Sequence, residues 1–181
     1  MNQKSPHFVK ITGGEFRGRK IATPGGRTHP MGERERLALF NMISSRIPGS
    51  RVVDLYSGGG TLAIEALSRG ATSVFSVDSS SLAIEVLREN LSRLGISSFQ
   101  ITALKADAPN FIATSADRYD VVIADPPYDE YRDGLVQNLP KLVSDGGILV
   151  LSHPGDAPDF SDLTLEKTRS YASAHLSIYT K

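Results

Sequence analysis

Four aspartates recur where the chain turns from apolar to polar: Asp54, Asp78, Asp107 and Asp125. The last opens Asp125-Pro126-Pro127-Tyr128. Neither proline has an N–H donor and both have a fixed φ, so the loop is stiff. A stiff loop can hold the Asp125 carboxylate and the Pro126 carbonyl as two acceptors at fixed positions. An exocyclic amino group needs two acceptors for its two hydrogens. Tyr128 adds a flat ring on which a base can stack. In isolation the same residues read equally well as an ordinary rigid turn. Their place one strand beyond a nucleoside-type pocket favours chemistry.

That pocket starts at Asp54-Leu-Tyr-Ser-Gly-Gly-Gly-Thr-Leu62. Gly58 and Gly60 permit a tight turn and a close approach of backbone to ligand. The helix that follows aims its N-terminus at the same spot, which suits an anionic or polar group. Asp78, eighteen residues past Gly60, is placed to accept from a ribose diol. Asp107 is placed to accept from an exocyclic amine. Gly58 to Ala63 also satisfies the G-x-G-x-x-A pattern of dinucleotide folds. A dinucleotide fingerprint begins its glycines at the strand end, whereas here three residues separate Asp54 from Gly58. A nicotinamide-dependent oxidoreductase is therefore the weaker reading, and a glycine cluster that only packs helix on strand is the bland one. Asp54 faces a cationic or hydrogen-bond-donating ligand.

The elements that must position these residues follow from periodicity. Residues 8–22 read as two short strands around glycine turns. Residues 23–32 are rich in proline and glycine and form a loop. Leu37, Phe40, Ile43 and Ile47 recur at helical spacing and predict a helix over 33–47, stopped by Pro48-Gly49. From there strands and helices alternate. Strands are expected at 51–55, 73–77, 99–103, 119–124 and 147–152. Helices are expected at 61–69, 81–94, 108–114 and 131–143. Residues 163–169 and 174–180 read as two more strands with no helix between them. Alternation of this kind predicts an α/β fold: a mostly parallel, doubly wound, seven-stranded sheet with helices on both faces. The final pair must then form an antiparallel hairpin at one edge. Ligands of such sheets sit at the carboxyl ends of the strands, where the four aspartates fall.

A chain of 181 residues with 40% hydrophobic and 22% charged residues fits one domain with a small appendage. Residues 1–30 form a basic N-terminal β-hairpin extension and 31–181 the main domain. The lack of cysteine excludes disulfides, Cys-ligated zinc, iron–sulfur clusters and thiol catalysis. No apolar run approaches the roughly 18–20 residues of a membrane span, and Met1 to His7 lacks the apolar core of a signal peptide. A cytoplasmic protein with no membrane partner is expected, and no His/Asp/Glu spacing suggests a metal. The net charge of zero hides an asymmetry. Residues 1–51 carry ten Lys/Arg against three Asp/Glu, and residues 52–181 carry ten against seventeen. A basic first quarter can meet a polyanion such as nucleic acid. Arg17, Arg19, Lys20, Arg27, Arg34 and Arg36 are the candidate phosphate contacts.

Asp54-Leu-Tyr-Ser-Gly-Gly-Gly60, Asp78 and Asp125-Pro-Pro-Tyr128 together resemble a class I S-adenosylmethionine-dependent N-methyltransferase of Rossmann-like fold. Three further stretches narrow this: Ile11-Thr-Gly-Gly-Glu-Phe-Arg-Gly-Arg-Lys-Ile21, Pro30-Met-Gly-Glu-Arg-Glu-Arg-Leu-Ala-Leu-Phe-Asn41 and Glu65-Ala-Leu-Ser-Arg-Gly-Ala71. They resemble the bacterial 16S ribosomal RNA guanine-N2 methyltransferase family, most closely over 11–78 and 119–128. The chain departs from that family at His29-Pro30-Met31, where Arg-Pro-Thr is usual. It also departs at Glu33 for Asp, at Gly58-Gly59-Gly60 for Gly-Ser-Gly, and at Asp78 for Glu.

The resemblance implies methylation of the exocyclic N2 of a guanine in 16S rRNA, on the small ribosomal subunit or its free RNA, with S-adenosyl-L-methionine as cofactor. It also suggests a monomer. Asp54, Tyr56, Ser57, Gly58 and Gly60 would shape the methionine and ribose part of the pocket. Asp78 with Ser79 would hold the ribose hydroxyls, and Asp107 with Ala108 would meet the adenine. Asp125, Pro126, Pro127 and Tyr128 would hold the guanine. The nearest competing reading is an amino-methyltransferase with the same loop that acts on adenine in DNA or glutamine in a protein.

Overall fold

The computed structural model describes residues 7–25, 31–127, 131, 136–171 and 174–181. Two small antiparallel strands, β1 (His7–Lys10) and β2 (Lys20–Thr23), open the chain and pair from His7 with Thr23 to Lys10 with Lys20. The expected loop then leads to α1 (Glu33–Met42). Strands β3 (Arg51–Leu55), β4 (Ser73–Asp78), β5 (Ile101–Lys105) and β6 (Tyr119–Ala124) run parallel. They are linked through α2 (Thr61–Ser68), α3 (Ser81–Leu94) and α4 (Ala108–Thr114). A 3₁₀ turn at Leu139–Leu142 leads into β7 (Val143–His153), parallel to β6. Then β8 (Thr164–Tyr171) and β9 (Ala174–Thr180) form an antiparallel hairpin, and β9 pairs with β7. The seven-stranded sheet has the order β5-β4-β3-β6-β7-β9-β8. This is the predicted mostly parallel sheet with its edge hairpin and its separate N-terminal hairpin.

Each sheet face carries its own core. One face packs Val52, Val74, Val121 and Ile148 against α1, α2 and α3 through Leu39, Phe40, Ile64 and Leu87. The other packs Val53, Val77, Val122 and Leu149 against Ile112, Leu139 and Leu142. The alternation follows from the period of two along each strand. The N-terminal hairpin joins the first core, with Ile11 and Ile21 each 1% exposed. Burial of each contributes about 1.5–3 kcal/mol.

Polar contacts lock the hairpin further. The carboxylate of Glu65, wholly buried in α2, accepts from Thr12 N and Thr12 Oγ1 and from Arg69 Nε. Ser68 Oγ accepts from Phe16 N at 2.9 Å and donates to Gly13 O at 2.6 Å.

Several boundaries differ from the periodicity reading. Helix α1 ends at Met42, and residues 43–46 turn, although Ile43 and Ile47 are buried as their spacing required. Strand β5 starts at Ile101 rather than Phe99, because Gln100 closes a turn on Ser97 and leaves Phe99 92% exposed. Strand β7 starts at Val143 rather than Gly147. Its Gly146 and Gly147 stay in the ladder, bonded through backbone to Lys181. Of the helix expected over 131–143, residues 132–135 lie outside the described residues, Leu139–Leu142 form the 3₁₀ turn and Val143 already belongs to β7.

Candidate active site

Three adjacent strands, β4, β3 and β6, deliver Asp78, Asp54 and Asp125 to one end of the sheet. Asp54 lies one residue before the end of β3 and faces α2. It is 1% exposed, and its Oδ2 accepts from Ala63 N in the first turn of that helix at 3.0 Å. Burial pushes its pKa well above the usual carboxylate value. The Ala63 hydrogen bond opposes that shift, and the charges of Asp125 and Asp78 add to it. Its other oxygen, Oδ1, is buried without a hydrogen-bond partner among the described residues, and so is Ser57 Oγ nearby in sequence. Buried polar atoms without partners are uncommon in folded proteins, and a bound ligand is one way to satisfy them.

The loop between Asp54 and α2 is held tightly. Tyr56 has φ 62°, in the left-handed region that a tyrosine rarely adopts. Gly60 has φ 79°, and a Cβ there would overlap Leu87 of α3. Asp78 anchors the loop from the next strand: its Oδ2 accepts from Gly58 N at 2.8 Å and its Oδ1 accepts from Ser80 N at 2.8 Å. The predicted ribose-binding acid thus also fixes the glycine loop, and each oxygen keeps a further lone pair for a ligand. Ser79 is exposed beside it. Asp107 caps α4, accepting from Asn110 N at 3.2 Å, with Ala108 buried as the first helical residue.

Asp125 follows β6 directly and is only partly exposed. Burial raises its pKa, a hydrogen bond with the Ser152 side chain at the end of β7 lowers it, and the Glu35 charge on α1 raises it. Pro126 is buried and Pro127 partly so. Tyr128 lies outside the described residues.

The basic candidates divide. Arg17, Arg19, Lys20 and Arg34 are exposed. Arg27 lies outside the described residues, as do His29 and Pro30. Arg36 is corrected: it is 1% exposed, and its guanidinium donates to Met31 O at 2.6 Å and Lys10 O at 2.8 Å. It ties α1 to β1 from inside the protein and is not a phosphate contact. Burial outweighs the charges of Glu65 and Glu33 and lowers its pKa.

The family profile described as Conserved hypothetical protein 95 matches residues 9–180, nearly the whole chain. The chain belongs to the Conserved hypothetical protein 95 family. One relative is Ribosomal RNA small subunit methyltransferase D of Escherichia coli (strain K12), 30% identical over 149 residues, which cover 82% of this chain and 73% of that protein. The Bacillus subtilis (strain 168) protein YlbH is 28% identical over 183 residues, which cover 96% of this chain and 99% of it. The solved structure of yhhF from Escherichia coli superimposes with a TM-score of 0.87 at 23% identity, covering 97% of this chain and 98% of that one. These matches bear out the family resemblance in the sequence and the Rossmann-like class I fold.

This member of the Conserved hypothetical protein 95 family holds three further site-related residues that periodicity passed over. Ser152 closes an apolar strand that the topology puts beside Asp125. Asn90 and Glu65 sit at buried helix positions, and a polar residue on an apolar face is the signal that would have found them.

Proposed function

We propose that this chain is an rRNA (guanine-N2-)-methyltransferase, which uses S-adenosylmethionine to methylate the exocyclic N2 of a guanine in 16S ribosomal RNA. The observation that carries the reading is the convergence of Asp54, Asp78 and Asp125 at the ends of adjacent strands, beside a fixed glycine loop. The likeness to a relative named for methylation of small-subunit ribosomal RNA supports the substrate class.

The residues fit the cofactor. S-adenosylmethionine carries positive charge at its sulfonium and its ammonium, and the acidic strand ends favour cations. The unpartnered Asp54 Oδ1 and Ser57 Oγ supply buried acceptors, and Ser57 also a donor. Asp54, Tyr56, Ser57, Gly58 and Gly60 would hold the methionine and ribose part, Asp78 and Ser79 the ribose hydroxyls, and Asp107 and Ala108 the adenine. When bound, the cofactor supplies an electrophilic methyl group with a good leaving group.

What remains for the protein is positioning, which can contribute roughly 7–11 kcal/mol at best. The lone pair of guanine N2 is delocalised into the ring. Acceptance of its two hydrogens by the Asp125 carboxylate and the Pro126 carbonyl favours a pyramidal nitrogen and frees that lone pair. The raised proton affinity of Asp125 suits it to take the N2 proton as the nitrogen becomes cationic. Tyr128 is the ring the sequence offers for stacking, worth ~1–3 kcal/mol per base.

Arg17, Arg19, Lys20 and Arg34 present exposed positive charge for the RNA backbone, and Arg27 extends that set in sequence. A cytoplasmic monomer acting on the small subunit or its free RNA is part of the same reading. Among the described residues, no helix is long and apolar enough to cross a membrane.

Acceptor competition tests the substrate class. Labelled cofactor is offered with unmethylated small subunits, their free rRNA, duplex DNA and a glutamine-containing peptide. Label in RNA alone supports the reading. Label in DNA or peptide overturns it.

A further inference from the structure

Asn90 lies in α3 between the buried Leu87 and Leu91, and is itself 1% exposed. Its side-chain amide uses both ends. Oδ1 accepts from Ala22 N at 2.9 Å, while Nδ2 donates to Ala22 O at 2.8 Å and to Gly59 O at 3.0 Å. The orientation is fixed by these partners, because exchanging N and O would set an acceptor against two carbonyls and a donor against an N–H.

Ala22 belongs to β2, which starts at Lys20, just after the exposed Arg17 and Arg19. Gly59 is the middle glycine of the loop whose neighbour Gly58 is held by Asp78. The two backbones are also in direct contact: a Cβ on Gly59 would lie 2.9 Å from Ala22 O and 3.1 Å from Pro24 Cδ. One side-chain amide thus bridges the strand that follows Arg17 and Arg19 and the glycine loop between β3 and α2. An apolar residue would fill the same helix position between two leucines without that link.

We propose that Asn90 is a positioning residue that couples the N-terminal hairpin to the glycine loop, so that cofactor and RNA strengthen each other's binding. The inference rests on the reading of the hairpin as RNA-binding and of the loop as cofactor-binding. A cofactor seated on the loop restrains the Gly59 carbonyl further, and through Asn90 that restraint reaches Ala22 and the strand it belongs to. By linkage the effect is reciprocal: RNA on the hairpin tightens cofactor by the same factor.

The test is the affinity of labelled unmethylated 16S rRNA, measured by fluorescence anisotropy with and without saturating S-adenosylhomocysteine. In the wild type the cofactor product should tighten RNA binding by at least about fivefold. In Asn90→Ala that ratio should fall to within about twofold. A merely structural Asn90 would weaken each affinity or the fold and leave the ratio unchanged. A ratio near one in the wild type, or an undiminished ratio in Asn90→Ala, overturns the proposal.

Should Asn90→Ala fail to fold, hydrogen exchange on the wild type decides. S-adenosylhomocysteine should slow exchange of the Ala22 amide together with that of Gly58. Protection confined to residues 54–60 overturns the proposal. A wild type that binds no RNA overturns the functional reading along with this one. A wild type that methylates RNA with a coupling indifferent to Asn90 overturns only the coupling.

Discussion

Asp78 Oδ2 accepts from the backbone N–H of Gly58 at 2.8 Å, so the acid that ends β4 holds the loop that follows β3. A hydrogen bond to a charged group is worth about 1.5–3 kcal/mol. Asp78→Ala should therefore weaken S-adenosylhomocysteine binding by roughly ten- to a hundredfold, through the freed loop and the loss of the acceptor proposed for the ribose. Isothermal titration calorimetry reads this directly, and affinity within about twofold of wild type would refute the role.

Asp125 should act on the acceptor and not on the cofactor. Asp125→Asn keeps the shape but cannot take a proton, so methyl transfer should fall by about a hundredfold or more. Affinity for S-adenosylhomocysteine should stay within about threefold. Loss of cofactor affinity instead would place Asp125 in the other pocket.

The single-turnover rate should rise with pH as Asp125 loses its proton, at a pH above the ordinary aspartate value. Removing the Glu35 charge stabilises the Asp125 carboxylate, so Glu35→Gln should move this rise to lower pH. Removing the Ser152 hydrogen bond does the reverse, so Ser152→Ala should move it to higher pH. A profile unmoved by either change would exclude Asp125 as the titrating group.

Asp54 makes a stability prediction with a definite sign. Its folded-state pKa lies well above the unfolded value of 3.8, so the native state binds its proton more tightly. That contribution is fully present below the unfolded pKa and is lost as pH rises through the folded pKa. Asp54→Asn does not titrate, so its melting temperature relative to wild type should climb with pH across that interval. A gain of about 1 kcal/mol corresponds to roughly 2–4 °C in a protein of this size. The same variant should bind S-adenosylhomocysteine more weakly, since the pocket loses an acid. A melting difference that is flat with pH would contradict the buried titration.

Arg36 and the exposed basic residues should separate cleanly. Arg36→Ala removes two charge-assisted bonds of a buried side chain and should destabilise the fold by about 3–6 kcal/mol in urea unfolding. Replacing Arg17, Arg19 and Lys20 together by Ala should leave stability unchanged within about 0.5 kcal/mol. It should flatten the salt dependence of RNA binding by about two to three units of log–log slope. An unchanged slope would remove that patch from the interface.

The pattern of apolar residues carried the alternation of strands and helices, the edge hairpin and the strand-end acids, because these follow from local periodicity plus the rules of parallel crossover. Arg36 could not be read that way. The three residues before it, Glu33, Arg34 and Glu35, are charged, and only the packing of α1 against β1 brings the carbonyl of Lys10 to its guanidinium. Phe99 misled for the opposite reason: a large apolar residue beside a strand looks like its first member, yet the Ser97–Gln100 turn leaves it in solvent. Periodicity starts a strand at Gly147, whereas the backbone of Lys181, just past β9, supplies partners that keep Gly146 and Gly147 within a β7 that begins at Val143. Asn90 and Ser152 act through contacts between elements far apart in sequence, which no local window contains.

The central claim is the atom that receives the methyl group. Unmethylated small subunits and their free rRNA, incubated with methyl-labelled S-adenosylmethionine and digested to nucleosides, identify it in one chromatographic run. The account predicts label in N2-methylguanosine, lost with Asp125→Asn. Label in any other nucleoside, or N2-methylguanosine formed undiminished by Asp125→Asn, would contradict it.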